Sequence, residues 1–172
     1  YTASRKSGKS RVYYTVRDTN FYGTSSRSSS GKYGTKYYTG NDKMTGNWWS
    51  ERIFAGSGND QIYGKGGNDT IVSGSGNDWA YGGSGRDTIY GQSGNDKLYG
   101  GSGNDWIHGG SGNDYVNGGS QNDRIYGGSG DDYVHGSYGH DYVNGQSGND
   151  VVYGGSGNDR LYGEGGNDYM NG

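Results

Sequence analysis

The sequence predicts an all-β solenoid in which short strands coil around a narrow apolar core. A nine-residue unit runs thirteen times from Ala55 to Asn171 without an insertion or deletion, and such a fixed period is typical of repeat architectures. Every unit has Asp at its sixth place and an apolar residue at its eighth. The 40 glycines among 172 residues indicate frequent turns.

The unit Gly100–His108 illustrates these places. Glycine stands at the first, second and fourth places, Asp105 at the sixth and Ile107 at the eighth. Because side chains alternate across a strand, only the middle residue of a short strand faces a core. We therefore expect a turn of about six residues and then a strand of about three, with two units in each coil. The inward-facing residues are Ile62, Ile71, Ala80, Ile89, Leu98, Ile107, Val116, Ile125, Val134, Val143, Val152, Leu161 and Met170.

The sixth-place aspartates are the candidate metal ligands. A single Gly-Asn-Asp run would be only a turn signal, but a solvated surface would not keep thirteen carboxylates in phase. Glycines let the backbone bring carbonyl oxygens together. Carboxylate and carbonyl oxygens suit Ca²⁺, whereas Zn²⁺ prefers Cys or His, and the chain has no cysteine. The candidates are Asp60, Asp69, Asp78, Asp87, Asp96, Asp105, Asp114, Asp123, Asp132, Asp141, Asp150, Asp159 and Asp168.

The pattern Gly-Gly-x-Gly-x-Asp-x-aliphatic-x resembles the RTX, or haemolysin-type calcium-binding, family over about two-thirds of the chain. The resemblance implies a right-handed parallel β-roll with Ca²⁺ held between loops of adjacent coils on the same side. Pairing loop i with loop i+2 leaves 13 − 2 = 11 pairs, so up to about 11 ions are expected. It also implies ligands from the sixth-place Asp and from carbonyl groups such as those of Gly101 and Gly103, or Gly110 and Gly112.

A few loops depart from this pattern, and we expect them to bind the ion more weakly, that of Gln121 most of all. The departures are Gln121 at the fourth place, Ser137 and Tyr138 at the second and third, and Lys65, Gln92, Gln146 and Glu164 at the second.

The nine-residue phase continues upstream in a weaker form. Residues 46–54 have Glu51 at the sixth place, and residues 37–45 have Asp42 there. Terminal repeats of a solenoid cover its core and are atypical. We therefore divide the chain into a basic Tyr/Ser/Gly-rich arm at 1–36, degenerate capping repeats at 37–54 and the thirteen-unit roll at 55–172.

Other functional motifs are missing or incomplete, so we expect no enzyme activity. Residues Ala3–Ser10 end like a phosphate-binding loop but begin with Ala where glycine is needed. The basic arm contains one good strand candidate, Arg11–Arg17, and a solvated or assembly arm explains its charge better than nucleic-acid binding. No apolar segment is long enough to span a membrane.

Aromatic rows and the last unit favour a structural role. Tyr and Trp at the seventh and ninth places, such as Trp79 and Tyr81, are expected to point outward and to stack along the rod. Extensive exposed aromatic surface often marks an interface. A roll ending at Gly172 on a regular unit exposes strand edges, and a head-to-tail contact that does not close grows a filament. We therefore expect a homo-oligomer or filament built through head-to-tail and aromatic-face contacts.

The resemblance implies secretion, because RTX proteins usually leave the cell unfolded and fold in external calcium. The first hypothesis is a secreted structural protein of an extracellular filament or surface layer. The second is the calcium-folded export module of a larger protease, lipase or toxin. A third is an ice-binding or adhesive roll, since Ser and Asn at the third and fifth places form polar rows.

Calcium is expected to control folding. Only 27% of the residues are hydrophobic and the mean hydropathy is −1.11, so the apolar core is thin. In addition, the stacked carboxylates repel one another when no metal is bound. The chain is expected to be disordered in chelator and to gain β-structure when calcium is added, as measured by circular dichroism. Equal β-content in both conditions would contradict this expectation.

Overall fold

A computed structural model describes residues 15–16 and 39–172, and it confirms the parallel β-roll. The described residues form sixteen strands and no helix. In chain order the strands are β1 Thr15–Val16, β2 Lys43–Thr45, β3 Arg52–Ser57, β4 Gln61–Gly66, β5 Thr70–Ser75, β6 Trp79–Ser84, β7 Thr88–Ser93, β8 Lys97–Ser102, β9 Trp106–Ser111, β10 Tyr115–Ser120, β11 Arg124–Ser129, β12 Tyr133–Tyr138, β13 Tyr142–Ser147, β14 Val151–Ser156, β15 Arg160–Gly165 and β16 Tyr169–Asn171.

Two sheets form the walls of the roll, and successive strands alternate between them. The even-numbered strands form a nine-stranded sheet together with β1, and the odd-numbered strands from β3 to β15 form a seven-stranded sheet. Within each sheet the repeat strands pair in parallel with an offset of 18 residues, so Val116 lies opposite Val134 and Ile107 opposite Ile125. This offset confirms that two units make one coil.

The strands are longer than the sequence predicted. Strand β10 has six residues, which run from the seventh place of one unit to the third place of the next. The shorter prediction was wrong because it assigned all the glycine-rich places to the turn. Gly119 pairs in register with Gly101, and Ser120 pairs with Ser102. A φ of 111° at Gly119 bends the strand, but it does not end the pairing.

The core is a single file of eighth-place side chains between the two sheets. From Ile62 to Val152 these side chains are completely buried, and Leu161 packs against them while partly exposed. Burial of each Ile, Leu or Val among them stabilises the fold by about 1.5–3 kcal/mol. With one such residue in nine there is no second apolar layer, so other contacts must position the coils.

Residues upstream of Ala55 extend the same core. Met44 and Ile53 are buried in it. The short strand β1 lies antiparallel on β2, with Thr15 opposite Thr45, which confirms the part of the predicted Arg11–Arg17 strand that is described. The rest of the basic arm lies outside the described residues. Within the described ranges no helix is long and apolar enough to cross a membrane.

Candidate metal centre

Each turn brings carbonyl groups of one coil against the glycines of the next. Gly101 and Gly103 have φ of 112° and 131°, a region that L-amino acids rarely adopt. A Cβ on Gly119 would overlap the carbonyl oxygen of Gly101, and a Cβ on Gly103 would overlap that of Gly85. Glycine is favoured here both for the backbone conformation and for the close approach of successive coils.

The sixth-place carboxylates form a ladder along each side of the roll. The backbone N–H of Asp114 donates to Oδ1 of Asp132, one coil later, at 2.8 Å, and Asp105 donates in the same way to Asp123 at 2.9 Å. The other oxygen, Oδ2, is buried without a hydrogen-bond partner in eleven aspartates. A buried oxygen of this kind is costly unless a donor or cation satisfies it. The eleven are Asp60, Asp69, Asp78, Asp87, Asp96, Asp105, Asp114, Asp123, Asp132, Asp141 and Asp150.

The last two candidate ligands differ in burial. Asp159 and Asp168 are half-buried. Their Oδ1 atoms still accept the backbone N–H groups of Asp141 and Asp150, both at 2.9 Å. They therefore continue the hydrogen-bonded ladder, while their carboxylates remain in contact with solvent.

The unpartnered oxygens lie against the first-place glycine of their own unit. A Cβ on Gly136 would come within 2.5 Å of Asp141 Oδ2 and within 2.5 Å of the carbonyl oxygen of Gly154. A carboxylate oxygen of one coil and a carbonyl oxygen of the next therefore converge on the same glycine. The sequence predicted carbonyl ligands at the glycine-rich places, with examples at the second and fourth places. The structure brings the first-place carbonyl group to this point as well.

Two units carry a side chain at the first place, a departure that was not among those predicted from the sequence. Ala55 and Ser73 occupy this place and are completely buried, so the fold accommodates a small side chain there. The hydroxyl oxygen of Ser73 has no hydrogen-bond partner. It adds a third kind of oxygen to the unit that contains Asp78.

The composition of these turns fits Ca²⁺. This ion accepts six to eight oxygens in irregular geometry, including carboxylates and backbone carbonyls. Each regular turn offers a carboxylate oxygen and neighbouring carbonyl oxygens. In the part of the chain that the structure describes, no three His, Cys, Asp or Glu side chains are grouped to hold a metal. The oxygen ligands offered to a metal ion are therefore mainly backbone carbonyl groups, whereas a zinc site uses Cys or His side chains.

The loops that depart from the pattern keep the backbone shape of the others. Their non-glycine residues have φ between 68° and 87°, a conformation that costs about 1–2 kcal/mol without glycine. Weaker ion binding at these loops stays a prediction. The residues are Lys65, Gln92, Gln121, Ser137, Gln146 and Glu164.

Burial makes negative charge unfavourable in these turns. Desolvation raises the pKa of Asp123 to about 8; the hydrogen bond from the backbone of Asp105 opposes this rise, and the charges of Asp105 and Asp141 add to it. Desolvation likewise raises the pKa of Asp87 and Asp96 to about 7. Near neutral pH the folded chain therefore needs protons or a cation to offset these carboxylates.

A second ladder uses the fifth-place side chains. The backbone N–H of Asn77 donates to Oδ1 of Asn59, and that of Asn95 donates to Oδ1 of Asn77, both at 2.8 Å. These bonds point to the preceding coil, whereas the aspartate bonds point to the following one. Only a polar surface row was expected here from the sequence. The Asn that precedes Asp in ten of the thirteen units was the available signal.

A parallel β-roll with a carboxylate every nine residues, buried with one unpartnered oxygen in each of eleven units, defines a candidate calcium-binding repeat protein. The family model described as RTX calcium-binding nonapeptide repeat (4 copies) matches residues 50–80, 72–107, 81–116, 99–134, 108–143, 117–152 and 135–170. Together these matches cover more than half of the chain, which therefore belongs to the RTX calcium-binding nonapeptide-repeat family, as the sequence predicted. Repeats of this family bind calcium, and the proteins that carry them are typically secreted. Comparison with curated proteins gives no match.

The raised pKa values predict that acid stabilises the metal-free roll. An aspartate with a folded pKa of about 7 or 8 and an ordinary value of 3.8 binds more protons when folded, so stability is present below pH 4 and is lost as the pH rises to about 8. Protein freed of metal by dialysis is expected to have more β-structure at pH 4.5 than at pH 8, as measured by circular dichroism. A larger β-signal at pH 8 would refute this direction.

Proposed function

We propose that the sixth-place aspartates bind Ca²⁺ through Oδ2, together with turn carbonyl groups, and that the bound ions allow the roll to fold. The observation that carries this proposal is the set of eleven buried Oδ2 atoms without a partner. Their number equals the number of loop pairs in a thirteen-unit roll, so we propose eleven enclosed ions. Asp159 and Asp168, which are half-buried, contribute more weakly.

Two adjacent aspartates provide a matched test of this assignment. Asp132 is buried, with Oδ2 unpartnered, whereas Asp131 is exposed and its Oδ1 accepts the backbone N–H of Asn149 at 2.8 Å. Asp132→Asn is expected to bind one ion fewer by native mass spectrometry and to need more calcium to fold. Asp131→Asn makes the same change of charge and is expected to match the wild type. Equal loss of ions in both variants would refute the specific role of the sixth place.

We further propose a secreted, non-catalytic structural role in which the chain assembles through its outer faces. Outward aromatic rows on both sheets support this proposal. On the nine-stranded sheet, the rings of Tyr115 and Tyr133 stack at 5.1 Å with an interplanar angle of 3°, and Tyr133 continues to Tyr153 at 5.5 Å. On the seven-stranded sheet, Tyr142 and Tyr162 lie 5.1 Å apart.

These rows remain accessible along the rod. Tyr81 and Tyr133 are 41% and 37% exposed, and Tyr162 is 43% exposed on the opposite face. A ring that stacks on its neighbour presents its edge and hydroxyl group outward, which suits a polar and aromatic contact with another copy. End-to-end contacts between rolls belong to the same proposal.

Electron microscopy in millimolar calcium tests the assembly. The wild type is expected to form ordered fibres or layers, Tyr81→Ser with Tyr133→Ser is expected to disperse them, and the corresponding Phe variant is expected to retain them because the rings remain. Dispersed wild-type monomers would overturn the structural proposal and favour a calcium-folded export module. Membership of a typically secreted family supports that alternative.

The ice-binding alternative has less support from the loops. The fifth-place oxygens accept backbone hydrogen bonds from the next coil, as Asn59 does from Asn77. The amide oxygens in this row are therefore occupied within the roll and are not free to order water at its surface.

A further inference from the structure

The degenerate capping segment, residues 37–54, contains a buried carboxylate outside the thirteen regular units, that of Glu51. Glu51 stands at the sixth place of residues 46–54, where the thirteen units have Asp. Only 3% of its surface is exposed. Its Oε1 atom is buried without a hydrogen-bond partner, as the Oδ2 atoms of the eleven aspartates are.

The surroundings of Glu51 repeat the arrangement of the regular turns. Its backbone N–H donates to Oδ1 of Asp69 at 2.8 Å, so Glu51 is joined to the aspartate ladder. A Cβ on Gly46 would come within 2.5 Å of Glu51 Oε2 and within 2.5 Å of the Gly64 carbonyl oxygen. The same distances apply at Gly136, Asp141 and Gly154. A carboxylate oxygen and a carbonyl oxygen therefore converge on a first-place glycine here too. The carboxylate oxygen nearest Gly46 is Oε2, and the unpartnered oxygen, Oε1, belongs to the same carboxylate group.

The longer side chain uses its oxygens differently. Oε2 of Glu51 accepts the backbone N–H of Asn47 at 3.0 Å, within the turn of its own unit. Burial raises the pKa of Glu51; the Asn47 bond and the charge of Lys65 oppose the rise, and the charge of Asp69 adds to it. Neither of these opposing contacts satisfies Oε1, which still lacks a partner.

We propose that Glu51 and the Gly64 carbonyl group hold a further Ca²⁺ ion, outside the thirteen regular units. The proposal rests on the calcium role proposed for the sixth-place aspartates. The ion joins the capping segment to the coil that contains Gly64. Trp48 already packs against Gly66 in that coil, so the ion and the indole ring hold the cap on the same strand. Calcium thus fixes the cap as well as the roll.

The chain offers a matched control, because its other glutamate, Glu164, is exposed at a second place and its Oε1 accepts a hydrogen bond from Asn144 at 2.6 Å. Native mass spectrometry in millimolar calcium is expected to find one ion fewer in Glu51→Gln than in Glu164→Gln. Glu51→Asp restores the residue of the regular units and is expected to keep the wild-type number. Equal numbers in the two Gln variants would overturn the proposal, as would loss of several ions together with β-structure in Glu51→Gln.

A second measurement separates this site from the proposed function. Crystals soaked in terbium are expected to show an anomalous peak beside Glu51 in the wild type and none there in Glu51→Gln. Peaks beside the aspartates but none beside Glu51 would refute this site alone. No peak beside any carboxylate would refute the calcium role of the aspartates as well.

Discussion

A carboxylate that is buried but only half satisfied is the constraint on which this roll depends. One oxygen of each sixth-place aspartate fixes the position of the preceding coil by accepting its backbone N–H, as Asp132 does for Asp114. In eleven of the thirteen, the other oxygen is buried without a protein donor. The interaction that aligns the coils therefore also places a charge where it is costly. Under the proposed function, coil alignment and calcium binding become one property of the same side chain.

The thin core explains why the coils need these ladders. Ala80 occupies the same buried place as Ile62 and Leu98, so core side chains of very different size are tolerated. The register comes instead from polar bonds on both sides of each turn. The sixth-place N–H donates to the following coil, and the fifth-place N–H donates to the preceding one. Each turn is held in two opposite directions, and the apolar file fills the space between the sheets.

The irregular positions follow the same physical logic. Lys65 and Glu164 stand where most units have glycine, yet both adopt positive φ, because the carbonyl groups of the turn must keep their direction. At the first place large side chains do not occur, because they would crowd the carboxylate. The units have glycine there, except for the two with the small residues Ala55 and Ser73. The outer faces are freer, and aromatic rings occupy them in continuous rows.

The sequence alone determined the nine-residue period, the two-unit coil, the inward eighth place and the carboxylates of the turns. It could do so because the strict phase of Asp and apolar residues is a local pattern that can be read directly from the order of the residues. The tertiary structure alone decided the six-residue strands, the different roles of Oδ1 and Oδ2, the first-place carbonyl groups and the opposite directions of the two ladders. These features depend on how a residue meets another one 18 positions away, and backbone oxygens leave no letter of their own in a sequence. Glu51 belongs to both parts: its place was visible in the phase, but its burial and its unpartnered oxygen came only from packing against the next coil.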